Sequence, residues 1–200
     1  MSEVPAATER AEVAAIWTAF PDAILKVKEY RGDTFVCVKR ESIVDAIRAL
    51  KEDGDLRYDY FVECVGVDYS AWEHERDLPN RFEVVYNLMS SSRATRLFLK
   101  VGVDDGQKIP TLKNLFLGAE YPEREIWDLF GIVFEGNEQT QRFLLPDDWV
   151  GHPLRKEYPL GGEDVLFDQS ELGPAVEDVS RPHAGESFPG KTGSQPVSDR

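Results

Sequence analysis

Three histidines and two cysteines are the residues of this 200-residue chain whose chemistry could most directly support catalysis or metal binding. His74 lies in a charged run, His183 in a polar C-terminal stretch, and His152 between Gly151 and Pro153. They are widely separated and form no paired-histidine metal motif. His152 has Asp147 and Asp148 close by in sequence, with Asp128 further back, so an acid–base hydrolase built on His152 is one reading. A histidine between glycine and proline more often anchors a turn through a ring hydrogen bond, and that reading is preferred. Cys37 and Cys64 stand alone in apolar, strand-like runs, lack the clustered spacing of iron–sulfur or zinc sites, and read as buried thiols. The sequence carries no glycine-rich phosphate loop, dinucleotide fingerprint or nucleophile elbow. No catalytic, cofactor-binding or metal-binding residue is assigned.

Recognition chemistry concentrates instead between Tyr121 and Pro159, YPEREIWDLFGIVFEGNEQTQRFLLPDDWVGHPLRKEYP. Pro122 suits a first helical turn, Glu123 and Glu125 complement the positive end of the helix dipole, and Gly131 sits where a C-terminal cap belongs. Steps of three and four residues place Ile126, Trp127, Leu129 and Phe130 on one face, with Glu123, Arg124 and Asp128 away from it. Arg124 and Asp128 read as a helix-surface pair, worth about 0.2–0.5 kcal/mol. The chain then extends, turns at Gly136 and reaches Leu144, after which Pro146, Gly151, Pro153 and Pro159 disfavour regular structure. That half must be held by side chains. The whole reads as a docking surface: Arg124, Arg155 and Lys156 would meet carboxylates or carbonyls of a partner, and Glu123, Glu125 and Asp128 its cations. Arg155 should matter more than Lys156, because only a guanidinium donates bidentately. Trp127 and Phe130 read as core, and Trp149 and Tyr158 as core or interface anchors.

EREIWDLFGI followed by LLPDDWVGHPLRKEYPL resembles the C subunit of respiratory NADH:quinone oxidoreductase, complex I, the family related to the mitochondrial 30 kDa subunit, and its counterparts in related membrane-bound oxidoreductases. A weaker similarity of layout runs back to Tyr60. The chain departs from the family pattern at Asn137, where His or Lys is usual, at Gln141, usually basic or Pro, and at Phe143, usually a small aliphatic. The resemblance implies a non-redox peripheral-arm subunit of a proton-translocating enzyme. It would pack beside the large quinone-site subunit and link it to adjacent iron–sulfur subunits. FMN, iron–sulfur clusters and quinone would belong to the assembly and none to this chain. The docking residues so implied are Glu123, Arg124, Glu125, Asp128, Gly131, His152, Pro153, Arg155, Lys156, Tyr158 and Pro159. The alternative is the equivalent subunit of a membrane-bound hydrogenase or another electron-input dehydrogenase.

Composition bounds these readings independently. A 42% hydrophobic content supports a genuine core, and a net charge of −14 (23 basic against 37 acidic residues) argues against direct contact with nucleic acid or anionic headgroups. No run approaches the roughly 20 apolar residues that span a bilayer. The N-terminus MSEVPAATERAEV lacks a basic start followed by an apolar stretch. A peripheral position on the cytoplasmic face of the cell inner membrane, reached through partners, is expected.

The elements that must position the docking stretch follow from periodicity. Thr8 can cap a helix carrying Val13, Ile16, Trp17 and Phe20, stopped by Pro21. Leu25 and Val27 alternate with Lys26 and Lys28, and Arg31-Gly32-Asp33 reads as a hairpin turn into Thr34–Val38 rather than an adhesion motif. Ser42 reads as the cap of a second helix with Ile43, Ile47 and Leu50 on one face, ended by Gly54. The long apolar run Tyr60–Tyr69 predicts a strand buried on both sides and central in its sheet. Phe82–Leu88 and Leu97–Val103 predict an antiparallel hairpin, with Ser70–Pro79 a charged surface loop before it. Pro110-Thr111 predicts a short helix carrying Leu112, Leu115 and Phe116. The fold class is α+β: a mostly antiparallel sheet with helices packed on one face, followed by an extended irregular C-terminal segment. Three units are expected: a globular domain over 1–118, a docking helix and extended segment over 119–160 packed on it, and a glycine-, proline- and acid-rich tail over 161–200 that is flexible or bound to a partner.

Overall fold

The computed structural model describes residues 10–137 and 141–159. The predicted cap Thr8, the tail over 161–200 and His183 lie outside the described residues. Helix α1 (Ala11–Ala19) buries Val13 and Ile16, and Phe20 closes it with a 2.7 Å bond from its amide to Ile16 O. Strands β1 (Ile24–Tyr30) and β2 (Asp33–Val38) form an antiparallel hairpin turned by Arg31 and Gly32, as the tripeptide's context predicts. A register shift between Ile24 and Lys26 interrupts the alternation of β1. Ile24 therefore faces the core and Leu25 solvent, because one extra residue in a strand reverses which side chains point inward. Helix α2 (Ile43–Glu52) buries Ile43, Ala46, Ile47 and Leu50. Ser42 precedes it without a side-chain cap bond, since a short 3-10 turn over Arg40–Ser42 already leads the backbone in.

Strands β3 (Tyr60–Asp68), β4 (Phe82–Ser90) and β5 (Thr95–Val103) complete a five-stranded sheet in the order β1-β2-β5-β4-β3. Only the β2–β5 pairing is parallel, so the sheet is mixed but mostly antiparallel and the class is α+β. The apolar run of β3 is an edge strand, not the central one. Its Cys64 is buried and Gly66 packs under a helix, whereas Val65 on the opposite face is open to solvent. The central strand is β5, whose clean alternation buries Leu97, Leu99, Val101 and Val103. An uninterrupted apolar run therefore marks unequal cover, not centrality.

After the sheet, Lys108–Pro110 forms β6, not the start of a helix. It pairs in parallel with β7 (Val133–Glu135), and Leu112–Phe116 makes a turn with Leu115 and Phe116 amides both 2.8 Å from Leu112 O. A second 3-10 turn, Leu117–Ala119, feeds α3 (Glu120–Phe130). The little β6–β7 sheet thus brackets α3 in sequence and fixes both of its ends.

Close approach of α3 to β3 demands glycine at one point. A Cβ on Gly66 would lie 3.0 Å from Phe130 Cδ2 and 3.1 Å from Ile126 Cγ2. Gly66→Ala is expected to destabilise the chain by about 1–3 kcal/mol through overpacking, seen as a lower urea midpoint. Gly54→Ala, with nothing near its added methyl, should leave that midpoint almost unchanged.

Candidate partner-docking site

Helix α3 is gripped on two sides by groups that its own sequence does not reveal. Ile126 and Phe130 face the sheet, and Glu123, three and seven residues before them, shares that side. Glu123 is completely buried, contrary to the placement read from its charge. Its carboxylate accepts the Thr111 hydroxyl, the Leu112 amide at 2.7 Å and Asn137 Nδ2 at 2.9 Å. Asn137 Nδ2 also reaches Glu120 O at 3.0 Å. Burial raises the Glu123 pKa, with the three donors working against it. Asn137 is therefore a buried strut between α3 and the loop after β7.

The other side of α3 is covered by residues 141–152, and Asp128 is the group they close on. Its side chain is fully buried. Arg142 Nη1 donates to Asp128 Oδ1 at 2.9 Å, while the amides of Phe143, Leu144 and Leu145 converge on Oδ2 at 3.1, 2.8 and 3.0 Å. Arg142 also donates to the carbonyls of Asp128, Trp149 and Gly151 at 2.9–3.0 Å. Burial alone would push the Asp128 pKa up; Arg142 and the three amides overcome it and hold it below the usual aspartate value. The predicted Arg124–Asp128 pair does not form, because Asp128 is committed to the covering segment. Arg124 instead lies over the rings of Tyr121 and Phe143, 5.8 and 5.5 Å from their centroids, and approaches Gln141 O at 3.4 Å.

His152 Nδ1 donates to the backbone carbonyl of Asp128 at 2.8 Å. A carbonyl only accepts, so Nδ1 carries the proton. Burial lowers the His152 pKa, with the Arg155 and Arg142 charges adding to it, which keeps the ring neutral at pH 7. The imidazole meets a peptide group and not the Asp128 carboxylate, so the His–carboxylate pair of the hydrolase reading is not assembled. Nε2 packs against Gly131, which caps α3 at φ +77° with its amide 2.8 Å from Trp127 O. A Cβ there would stand 2.6 Å from His152 Nε2 and 2.8 Å from Arg155 Nη2, so Gly131 serves both the cap and the close approach.

Arg155 and its neighbours make the second attachment. Arg155 Nε donates to Phe130 O at 2.7 Å, and its two terminal nitrogens bind Asp105 bidentately at 3.1 and 3.0 Å. The Lys156 amide donates to Asp68 Oδ2 at 2.9 Å, and Arg81 joins Asp68, Asp105 and Glu157. Burial opposes ionisation of Asp68, but Arg81 and the amides of Lys156 and Ser70 bring its pKa down to about 2. Sequence reasoning misses Arg142, Asp105, Asp68 and Arg81. They lie up to 88 residues from their partners, as with Asp68 and Lys156, so no local spacing announces them.

The remaining candidates divide cleanly. Gly131, His152, Pro153, Arg155 and Tyr158 are partly covered by the chain itself, with Tyr158 Oη 3.5 Å from Val150 O. Glu125, the Lys156 side chain and Pro159 are exposed. Phe130 is core, as expected, whereas Trp127, also read as core, is only half-buried beneath Arg142, and Trp149 is 39% exposed. Around them Tyr121, Phe143, Leu144, Trp149, Val150 and Leu154 are 39–56% exposed, an unusual density of large apolar groups. Cys37 and Cys64 are buried, free and on opposite faces of the sheet; burial raises both thiols, Cys37 to about 11. Among the described residues no helix is long and apolar enough to cross a membrane, and no group of three or more His, Cys, Asp or Glu is placed to hold a metal.

Residues 36–164 match the family described as respiratory-chain NADH dehydrogenase, 30 Kd subunit. The C subunit of the NADH-quinone oxidoreductase of Roseiflexus sp. (strain RS-1) is 49% identical over 150 residues, 74% of this chain and 83% of that protein. Its counterpart from Geobacter sulfurreducens is 44% identical over 146 residues, 72% and 86% of the two chains. Among solved structures, the trypsin-resistant fragment (1-134) of Nqo5 is similar with a TM-score of 0.52 and 32% identity, covering 56% of this chain and 87% of that one. A chain of the membrane-bound sulfane sulfur reductase, an archaeal respiratory membrane complex, is similar with a TM-score of 0.61 and 27% identity over 74% and 84%.

Asp128→Ala would leave three amides without their acceptor and the mostly covered Arg142 guanidinium without its counter-charge, at a cost of about 3–5 kcal/mol. The expected signature is rapid tryptic cleavage at Arg142 and Arg155 with the sheet core intact; unchanged cleavage would exclude the Asp128 attachment. The pH dependence has a definite sign. The Asp68 and Asp128 pKa values are lowered, so their stabilisation is complete above the unfolded aspartate pKa and is lost as pH falls through the folded values; Glu123, being raised, acts in the opposite sense. Wild type should lose on the order of 2 kcal/mol from Asp68 on acidification from pH 4 towards its pKa of about 2, a loss absent from Asp68→Asn in acid-denaturation curves.

Proposed function

Because the chain belongs to the family of the respiratory-chain NADH dehydrogenase 30 kDa subunit, we propose that it is a peripheral-arm scaffold subunit of a proton-translocating NADH:quinone oxidoreductase. The activity is that of the assembly. Electrons would pass from NADH through FMN and iron–sulfur clusters of other subunits to quinone, and this chain would fix the geometry around the quinone-site subunit. Small displacements near reacting groups have large rate consequences, which gives a subunit without redox centres a part in turnover. The proposed partners are the large quinone-site subunit and adjacent iron–sulfur subunits, with membrane contact through them on the cytoplasmic side. The similar proteins at 37–49% identity are all named as C subunits of NADH-quinone oxidoreductases, so the hydrogenase alternative is not favoured.

The observation that carries the docking proposal is the contrast between committed charges and open apolar groups. Asp128, Glu123, Arg142 and Arg155 are occupied within the chain, while Phe143, Leu144, Trp149, Val150 and Leu154 are held out on the segment they secure. In this reading the motif charges orient the segment and its apolar side chains meet the partner. Apolar anchors supply most of the energy of such contacts.

The test is affinity purification from gently solubilised native membranes, with identification of co-purifying subunits and an NADH:quinone assay. Leu144→Ser combined with Leu154→Ser is expected to lower recovery of the quinone-site subunit about tenfold or more, with the free chain's unfolding midpoint little changed because both side chains are about half exposed. Arg155→Ala should lower that midpoint first. Full recovery by the double serine variant would remove the apolar docking proposal, and recovery of nickel-enzyme subunits instead would restore the alternative.

A further inference from the structure

The loop over 70–81, between β3 and β4, exposes a large aromatic that the attachment of the docking segment does not use. Trp72 is 54% exposed. Its indole is nevertheless fixed. Tyr69 and His74 contact it edge-to-face, with centroids 6.2 and 5.1 Å away, and its amide donates to Tyr69 O at 2.9 Å. The far side of the loop is pinned by Arg76 to the carbonyls of Asn80 and Pro79 at 2.7 and 3.0 Å, and by Asn80 Nδ2 to Asp104 at 2.6 Å. A side chain ordered in advance gives up little freedom on binding.

The charges of this loop are unequally committed. Arg76 is occupied by the two carbonyls and lies 4.9 Å from the Tyr69 ring centroid. Asp77 is shared by Lys26, Lys28 and Lys100 at 2.9, 3.8 and 3.6 Å. Glu73 and Glu75 are exposed and make no ion pair within 4 Å among the described residues, and Glu75 lies near enough to Lys26 to help raise its pKa. A half-exposed indole and two exposed carboxylates attract the same kind of group, a cation, the ring through its quadrupole and the acids through their charge. Phosphate and anionic lipid are repelled by both acids and by the −14 charge of the chain.

We propose that Trp72, Glu73 and Glu75 form a docking site for a lysine- or arginine-bearing segment of a neighbouring protein subunit, its cation resting on the indole and its flanks paired with the two carboxylates. This contact lies outside the docking segment of residues 141–159 and uses none of its side chains. It gives the acidic chain a second, polar point of attachment, sensitive to salt where the apolar one is not.

Hydroxyl-radical footprinting of the full-length chain, free and in the complex solubilised from native membranes, tests it. Trp72 oxidation is expected to fall several-fold on assembly. Glu73→Lys with Glu75→Lys should return it to the free-chain rate, and Glu73→Gln with Glu75→Gln should return it part of the way. Equal oxidation of Trp72 in the free and assembled chain overturns the proposal. So does protection that persists in the double lysine variant, which is an apolar contact, or protection of the free chain by phosphatidylcholine vesicles, which is a lipid contact. Co-purification of the chain is scored separately, so failure to assemble bears on the proposed function and not on this loop.

Discussion

A buried carboxylate on which four donors converge organises the irregular segment that covers α3. Asp128 receives one guanidinium and three consecutive backbone amides, and those amides belong to a stretch that has no regular structure to satisfy them otherwise. An irregular segment laid over a helix must place its N–H groups somewhere, and orphaned ones are costly. Here a single side chain from the helix beneath supplies the acceptor, and Arg142 both neutralises the charge and ties off the carbonyls of Trp149 and Gly151. The segment has therefore no alternative resting place of comparable energy. Gly131 depends on the same arrangement, since its missing Cβ leaves room for His152 and Arg155 at the point where the chain leaves α3.

Much of the fold is legible from periodicity. The inward faces of α1 and α2, the Arg31-Gly32 turn, the β4–β5 hairpin and the Gly131 cap all follow from local rules that the structure obeys. What fails has a common cause. β3 reads as central only if apolarity is equated with two-sided cover, Leu25 as inward because a bulge leaves no mark on composition, and Thr111 as helical because the strand partner of β6 lies more than twenty residues on. Each error concerns a relation between distant segments. The same holds for the candidate site: the docking stretch is visible as an anomaly of composition, but the partners of its charges, Asp68, Asp105 and Arg81, carry no local signal.

Polarity misleads in a more specific way. Charge alone places Glu123 and Asp128 outside, because acids on a helix normally face water, and both are buried. For Glu123 the arithmetic of the helix already points inward, since it stands three residues before Ile126. For Asp128 only the covering segment explains the burial. Two further side chains serve this machinery: Asn137 is a strut against Glu123, and Phe143 packs at a tilt on Tyr121, 5.5 Å between centroids, with Arg124 over both rings.

Histidine, aspartate and two arginines brought within a few ångströms of one another have the composition of an active site, yet each of them is occupied within its own chain. A catalytic base needs a lone pair open to substrate, and an electrophilic arginine needs donors aimed at an empty position. His152 gives its proton to a peptide carbonyl and lays its other nitrogen against a glycine; Asp128 has its acceptor positions taken; Arg142 and Arg155 each point at carboxylates and carbonyls of their own chain. Satisfied polar groups of this density give a rigid mount for the segment over 141–152. What that segment leaves open is apolar: Phe143, Leu144, Trp149 and Val150 are 39–55% exposed, and these are the groups on which the proposed docking rests.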